Sequence, residues 1–173
     1  MTITVGDYID VKKRATELGC RVPDGWAVLP RNFSEATSFE ELVHESNAAT
    51  VRTLLRRSEY SESPIEPDGK RLPQVQENAF TWIGPIIFIA AAEISRNPEI
   101  VSVACGLISN YLTDFFKGKP GDHLVKLDIV VEQTRTKRTV KLHYEGPLDG
   151  LTQIPQAISE ACGDTRSTNA NVN

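Results

Sequence analysis

Trp82-Ile83-Gly84-Pro85-Ile86-Ile87-Phe88-Ile89-Ala90-Ala91-Ala92 is followed, after Asn97-Pro98, by Ile100-Val101-Ser102-Val103-Ala104-Cys105-Gly106-Leu107-Ile108-Ser109-Asn110-Tyr111-Leu112. These two runs hold most of the concentrated hydrophobicity in a chain of 173 residues. Read as two helices joined at a tight corner, the segment from Phe80 to Lys117 forms the spine of one core. The second helix carries the fuller set of signals. Asn97 is a favoured N-cap, and Pro98 suits the first helical position, where a missing N–H costs nothing. Apolar residues at 100, 101, 104, 107, 108, 111, 112 and 115 recur at helical spacing. Lys117 complements the negative end of the helix, and Gly118 can supply a left-handed cap. The first helix, about 79–96, is apolar on nearly every side, with Gly84-Pro85 marking a start or kink. The uncharged run Ala79–Ala92 falls short of the ~18–20 residues needed to span a bilayer, so it reads as buried core and a membrane surface is not favoured.

Beyond Gly118-Lys119-Pro120-Gly121 the hydrophobic period changes from helical to alternating. Val125, Leu127, Ile129 and Val131 alternate with Lys126, Asp128, Val130 and Glu132, and Val140, Leu142 and Tyr144 alternate with Lys141 and His143. This predicts a β-hairpin of strands 124–132 and 139–145, with one face on a core and the other largely wet. Glu145-Gly146-Pro147 ends it. Leu151, Ile154, Ile158 and Ala161 then suggest a closing helix despite Pro155, and 163–173 reads as a disordered polar tail.

Upstream, residues 7–18 read as an amphipathic helix with Tyr8, Val11, Ala15 and Leu18 on its apolar side and Gly19 ending it. Pro23-Asp24-Gly25 is a turn, and Trp26–Leu29 a short strand stopped by Pro30. Ser38-Phe39-Glu40-Glu41 has the form of a capping box and opens a second helical region through Leu55, which Glu45-Ser46-Asn47 can interrupt. From Glu59 to Glu77 helical periodicity stops, and acids and prolines predominate. Too few apolar side chains are present to offset the ~1–2 kcal/mol per residue of backbone ordering, so a mobile acidic loop, ordered by a partner, is expected. The expected architecture is α+β: a single domain over 1–162, with a helical hairpin packed on a small antiparallel sheet.

Composition sets further bounds. A net charge of −4 with 40% hydrophobic and 24% charged residues gives no general reason to expect nucleic-acid or anionic-membrane binding. The three cysteines, Cys20, Cys105 and Cys162, are widely spaced, and form neither a disulfide framework nor a zinc signature. No basic-then-apolar segment opens the chain, so no secretory signal is read and a cytoplasmic location is expected.

Candidate chemistry is sparse. Glu41 and His44 stand three apart, a spacing that lets a carboxylate and an imidazole share a metal, although a solvated helix face accounts for the same pair. Lys126, Arg135, Lys137, Arg138, Lys141 and His143 make a candidate basic patch, and Arg52, Arg56 and Arg57 a second cationic group. Such patches could hold phosphates. Asp128, Glu132 and Glu145 share the hairpin, no aromatic residue is interleaved for base stacking, and a charged edge that prevents strand mispairing explains the same residues. His44, His123 and His143 sit in no local catalytic signature, and no phosphate-binding glycine loop is present. No cofactor and no metal are expected.

One segment has a familiar outline. A small-residue-rich apolar helix, a second helix ending Asn110-Tyr111-Leu112-Thr113-Asp114-Phe115-Phe116-Lys117, a hairpin, and a helix after Tyr144-Glu145-Gly146-Pro147 follow in order. Over about residues 82–162 this resembles the small effector-associated, non-catalytic components of bacterial conflict systems. The resemblance implies an adaptor and transfers no functional residue. The expected function is a non-enzymatic protein–protein interaction component, with a protein partner or self-association, because no catalytic motif is read and the first spine helix is apolar on more sides than a small sheet covers. The alternatives are a small hydrolase or nuclease built from dispersed histidines and acids, or a phosphate-backbone-binding module using the hairpin.

Overall fold

A computed structural model describes residues 1–76, 80–133, 135–136 and 138–170, with side chains as far as 163. Among the described residues the strands are β1 (Thr2–Asp7), β2 (Trp26–Leu29), β3 (Thr81–Ile89), β4 (Leu124–Glu132) and β5 (Thr139–Gly146). The helices are α1 (Val11–Glu17), α2 (Ala48–Arg56), α3 (Ala91–Arg96), α4 (Ile100–Phe116) and α5 (Ile154–Ala170), with 3₁₀ turns at Phe39–Glu41 and Leu148–Gln153. The strands form one sheet in the order β1-β5-β4-β3-β2. β3 and β4 run parallel and the other pairs antiparallel, so this single α+β domain is built on a mixed sheet rather than an antiparallel one. The parallel pair needs a long return connection, which α3 and α4 provide.

The expected helical hairpin is half corrected. Residues 81–89 form strand β3, interior to the sheet between β4 and β2, and only the short α3 follows before α4. An interior strand with a parallel neighbour and both faces covered is apolar at nearly every position, so it lacks alternation and resembles a buried helix. The composition favours the strand, because Thr81, Trp82, Phe88 and four isoleucines are β-branched or aromatic. Gly84-Pro85 occupies a register shift between Ile83 and Ile86, where an interrupted ladder accommodates the missing proline N–H. A Cβ on Gly84 would lie 2.7 Å from the Trp82 ring and 2.8 Å from Leu127, so only glycine fits there.

The two faces of the sheet are packed unequally. On one face Trp82, Ile87, Ile89, Val125, Leu127, Ile129, Val131, Leu142 and Tyr144 pack with α2, α4, α5 and the Leu148–Gln153 turn. On the other, α1 and the segment around Phe33, Ala36, Leu42 and Ile65 cover Ala27, Leu29, Ile86, Phe88 and Val130. The expected wet face of the hairpin is thus wet over β4 and β5 only as far as Val130, which is fully buried. The hairpin itself forms with the predicted alternation, and α4 buries Ile100, Val101, Ala104, Cys105, Ile108 and Leu112. Its N-cap is Glu99 rather than Asn97, which instead ends α3 and donates to the Glu93 carboxylate. Gly118 takes φ +77° after α4, and Gly19 φ +72° after α1. Burial pushes the Cys105 thiol up to about 12, consistent with a packing role.

The segment 59–76 also departs from expectation, because it is packed against the domain. Ile65 is fully buried and Tyr60 nearly so. The acids that seemed solvated charges are paired: Glu62 and Glu66 meet arginines of α2. Glu77 lies outside the described residues. Helix α5 continues through Gly163 to Ala170, where a disordered tail was expected, and residues 171–173 lie outside the description.

Candidate functional site

Strand alternation sorts the hairpin residues into those that meet the helices and those that face away from them. On the outward face of β4, β5 and β1, Glu145 stands between Lys126 and Thr2, and His143 between Asp128 and Thr4. The predicted basic patch therefore lies in a lattice of opposite charges. Lys126 meets Glu145 at 3.8 Å, Lys141 meets Asp128 at 3.7 Å, and Arg138 pairs with Asp7. His143 bonds Asp128 through Nδ1, with Glu145 3.6 Å from its Nε2. Arg135 lies in the exposed hairpin turn, and Lys137 lies outside the described residues. Of the six residues, Lys126, Lys141 and His143 share this face with acids, and Arg138 is drawn to the end of β1.

The three histidines occupy three separate environments. His123 stacks on Phe116 with ring centroids 4.3 Å apart, His143 lies on the sheet, and His44 is buried beside Glu66. Glu41 and His44 do not converge on a common ligand. Glu41 accepts from the Thr37 N–H and hydroxyl at 2.9 Å, while His44 forms a bridge to Gln74 outside any helix. Among the described residues no group of three or more metal-ligating side chains is found, and no helix is long and apolar enough to cross a membrane.

The first strand forms an edge that the sequence reading left without structure. Tyr8 N–H donates to Thr139 O at 2.9 Å, and antiparallel pairing alternates inward and outward groups. The even positions Thr2, Thr4 and Gly6 therefore turn their backbone groups to β5. Those of Ile3, Val5 and Asp7 point away from the sheet. All of β1 except Ile3 is exposed, and its only charge, Asp7, stands at its end. Beside it Val5, Gly6, Val140, Ala157 and Ala161 line an open groove, with Gln133, Arg138 and Glu160 at its polar positions. This can accept an extended backbone.

A second constellation joins α2 to the packed acidic segment. Arg52 bonds Glu62 through Nε at 2.7 Å and spans both Glu66 oxygens through Nη1 and Nη2 at 3.0 and 3.2 Å. Arg56 takes the other oxygen of Glu62 at 2.6 Å, and His44 Nε2 meets Glu66 at 2.6 Å. Burial by itself would raise the Glu66 carboxyl, but the His44 hydrogen bond and the Arg52 charge outweigh it and hold the group at about 2. Sequence reasoning noted Arg52 and Arg56 but not their partners. The available signal was spacing: arginines four apart are followed by glutamates four apart.

Compared with models of protein families, with curated proteins and with solved structures, the chain matches none of them.

Proposed function

We propose that the protein is a non-catalytic protein–protein interaction component that assembles by strand addition at β1, the added strand being β1 of a second copy. The observation that carries this reading is the outward row of backbone groups on Ile3, Val5 and Asp7, along an edge that is nearly uncharged and uncovered among the described residues. The strand is complementary to itself. Antiparallel pairing about a two-fold axis at Thr4 sets Ile3 opposite Val5 of the copy, and Val5 opposite its Ile3. Both pairs fall on the grooved side, with Thr4 opposite Thr4 on the other face. No like charges are opposed, and Arg138 and Glu160 bring a base and an acid from each copy beside the seam. The adaptor role implied by the sequence resemblance fits such a component, supported by the order of α4, the hairpin and α5 alone.

Light scattering after size exclusion, across a concentration series, tests the assembly. Wild type is expected to shift toward dimer as concentration rises. Val5→Pro removes an N–H that the chain itself does not use, so this variant is expected to stay monomeric with an unchanged urea midpoint. A wild type that is monomeric at every concentration, or a Val5→Pro variant that dimerises equally well, overturns the proposal.

A further inference from the structure

At the β2 end of the sheet, remote in strand order from β1, α2 and the segment 64–74 enclose an open cleft of about 530 Å³, within the volume range of small-ligand sites. Its walls are cationic. Arg21, Arg52, Arg56, Lys70 and Arg71 line it, against Glu66 and Asp68. Arg52 spends its three donor nitrogens on Glu62 and Glu66, forming a neutralised floor. Arg21, Lys70 and Arg71 are held loosely. Arg21 pairs at 3.1 Å with Asp68, whose side chain is 95% exposed, an arrangement that contributes little in water. Lys70 rests 5.1 Å from the Phe39 ring centre, and Arg71 has no ion-pair partner among the described residues. Arg56 shares Glu62 with Arg52 while its own side chain stays 57% exposed. His44 also lines the cleft, and its Nδ1 is buried without a hydrogen-bond partner among the described residues.

A cleft whose floor is neutralised and whose rim carries an excess of guanidinium and ammonium groups is suited to an oxyanion. Guanidinium forks match phosphate oxygens, and a lysine adds a point charge. We propose that this cleft binds a small phosphorylated molecule, with Arg21, Lys70 and Arg71 contacting its phosphate oxygens. The Asp68 carboxylate occupies Arg21 in the unliganded chain and is displaced when phosphate enters. The packed segment 59–76 thereby acts as the wall of a binding site.

Inorganic pyrophosphate is the probe, titrated calorimetrically into the full chain at low and physiological salt. Wild type is expected to bind one equivalent saturably, with affinity falling as salt rises. The triple variant Arg21→Gln/Lys70→Gln/Arg71→Gln is expected to lose about tenfold or more in affinity. Asp68→Asn is expected to bind about two- to fivefold more tightly, because Arg21 is released from its competitor. That gain would not arise from a merely structural role for the segment. Arg57→Gln, a neighbouring cation outside the cleft, is expected to bind as wild type. Absence of saturable binding, equal binding by the triple variant, weaker binding by Asp68→Asn or equal loss in Arg57→Gln overturns the proposal. Repeating the titration on the Val5→Pro chain keeps this outcome separate from that of assembly at β1.

Discussion

The two edges of the sheet are finished in opposite ways. All four residues of β2 are buried, and at Trp26 its outer side is met by the chain itself. Ser63 N–H donates to Trp26 O at 2.8 Å, the Trp26 indole donates to Tyr60 O at 2.9 Å, and Arg21 N–H donates to Ile65 O at 2.7 Å. The covering segment is anchored in turn by Glu62 and Glu66 on Arg52 and Arg56. β1 has no such cover among the described residues, and carries neither an internal charge nor a proline to repel another strand. The comparison shows what closing an edge takes. A segment too polar to pack by apolar burial alone is held by ion pairs with low exposure, and an edge without that device keeps its hydrogen-bonding capacity for something else.

The largest expected effect comes from removing the anchor. Arg52→Ala leaves Glu62 and Glu66 without their shared partner and should cost about 3–5 kcal/mol in urea unfolding. In the same variant, Glu-C protease should cut after Glu62 well before it does in wild type. A wild-type urea midpoint and cleavage rate would remove the distinction between the edges. At β1, Thr4→Pro deletes an N–H directed to β5 and should cost about 1–3 kcal/mol. Similar stability for Thr4→Pro and wild type would mean that the assigned alternation is reversed.

A smaller effect is expected from acid. The carboxyl of Glu66 is held below the ordinary glutamate range, so the stability it contributes is complete above that range and is lost as pH falls through about 2. Glu66→Gln should therefore be less stable than wild type at neutral pH, with the gap closing between about pH 5 and pH 2. A gap that stays constant across that range would show that the ion pairs do not hold the cover. The smallest effect belongs to Val5→Pro, expected to change stability by no more than about 0.5 kcal/mol, since its N–H faces away from the sheet. Equilibrium unfolding at a concentration where the chain is monomeric checks this.

Legibility in the sequence followed how much of each element is written in its own residues. The stripe of α4 and the alternation of the hairpin are local; the hairpin formed as read, and the stripe did from Ile100 to Leu112, with Leu107 and Tyr111 only half-buried and Phe115 left exposed. β3 was misread because burial on both faces erases alternation, leaving only its β-branched and aromatic content to oppose the helix. β1 was overlooked although Ile3 and Val5 alternate with Thr2 and Thr4, a pattern too short to stand out. The acidic segment was taken for a mobile loop because its charges were counted alone. Their neutralising partners sit on α2, and no property of residues 59–76 by themselves reveals that Glu66 meets both His44 and Arg52. The same reasoning placed Asp128 and Glu145 on the hairpin with its cations, and the strand register seats them among those charges.

The pairing of β1 with β5 has a consequence for the order in which the molecule comes into being. β1 waits for β5, because its hydrogen-bonding neighbour, Thr139–Gly146, is synthesised more than a hundred residues later. At roughly 5–20 residues per second, the interval is on the order of ten seconds. Contacts so distant along the chain form late, after the nearer hairpin and crossover have collapsed. Throughout that wait the six residues of β1 are unpaired on both sides, and β5 of a neighbouring nascent chain offers them the same ladder as their own. A strand left unpaired for that long is the kind of element that copies of one chain can exchange.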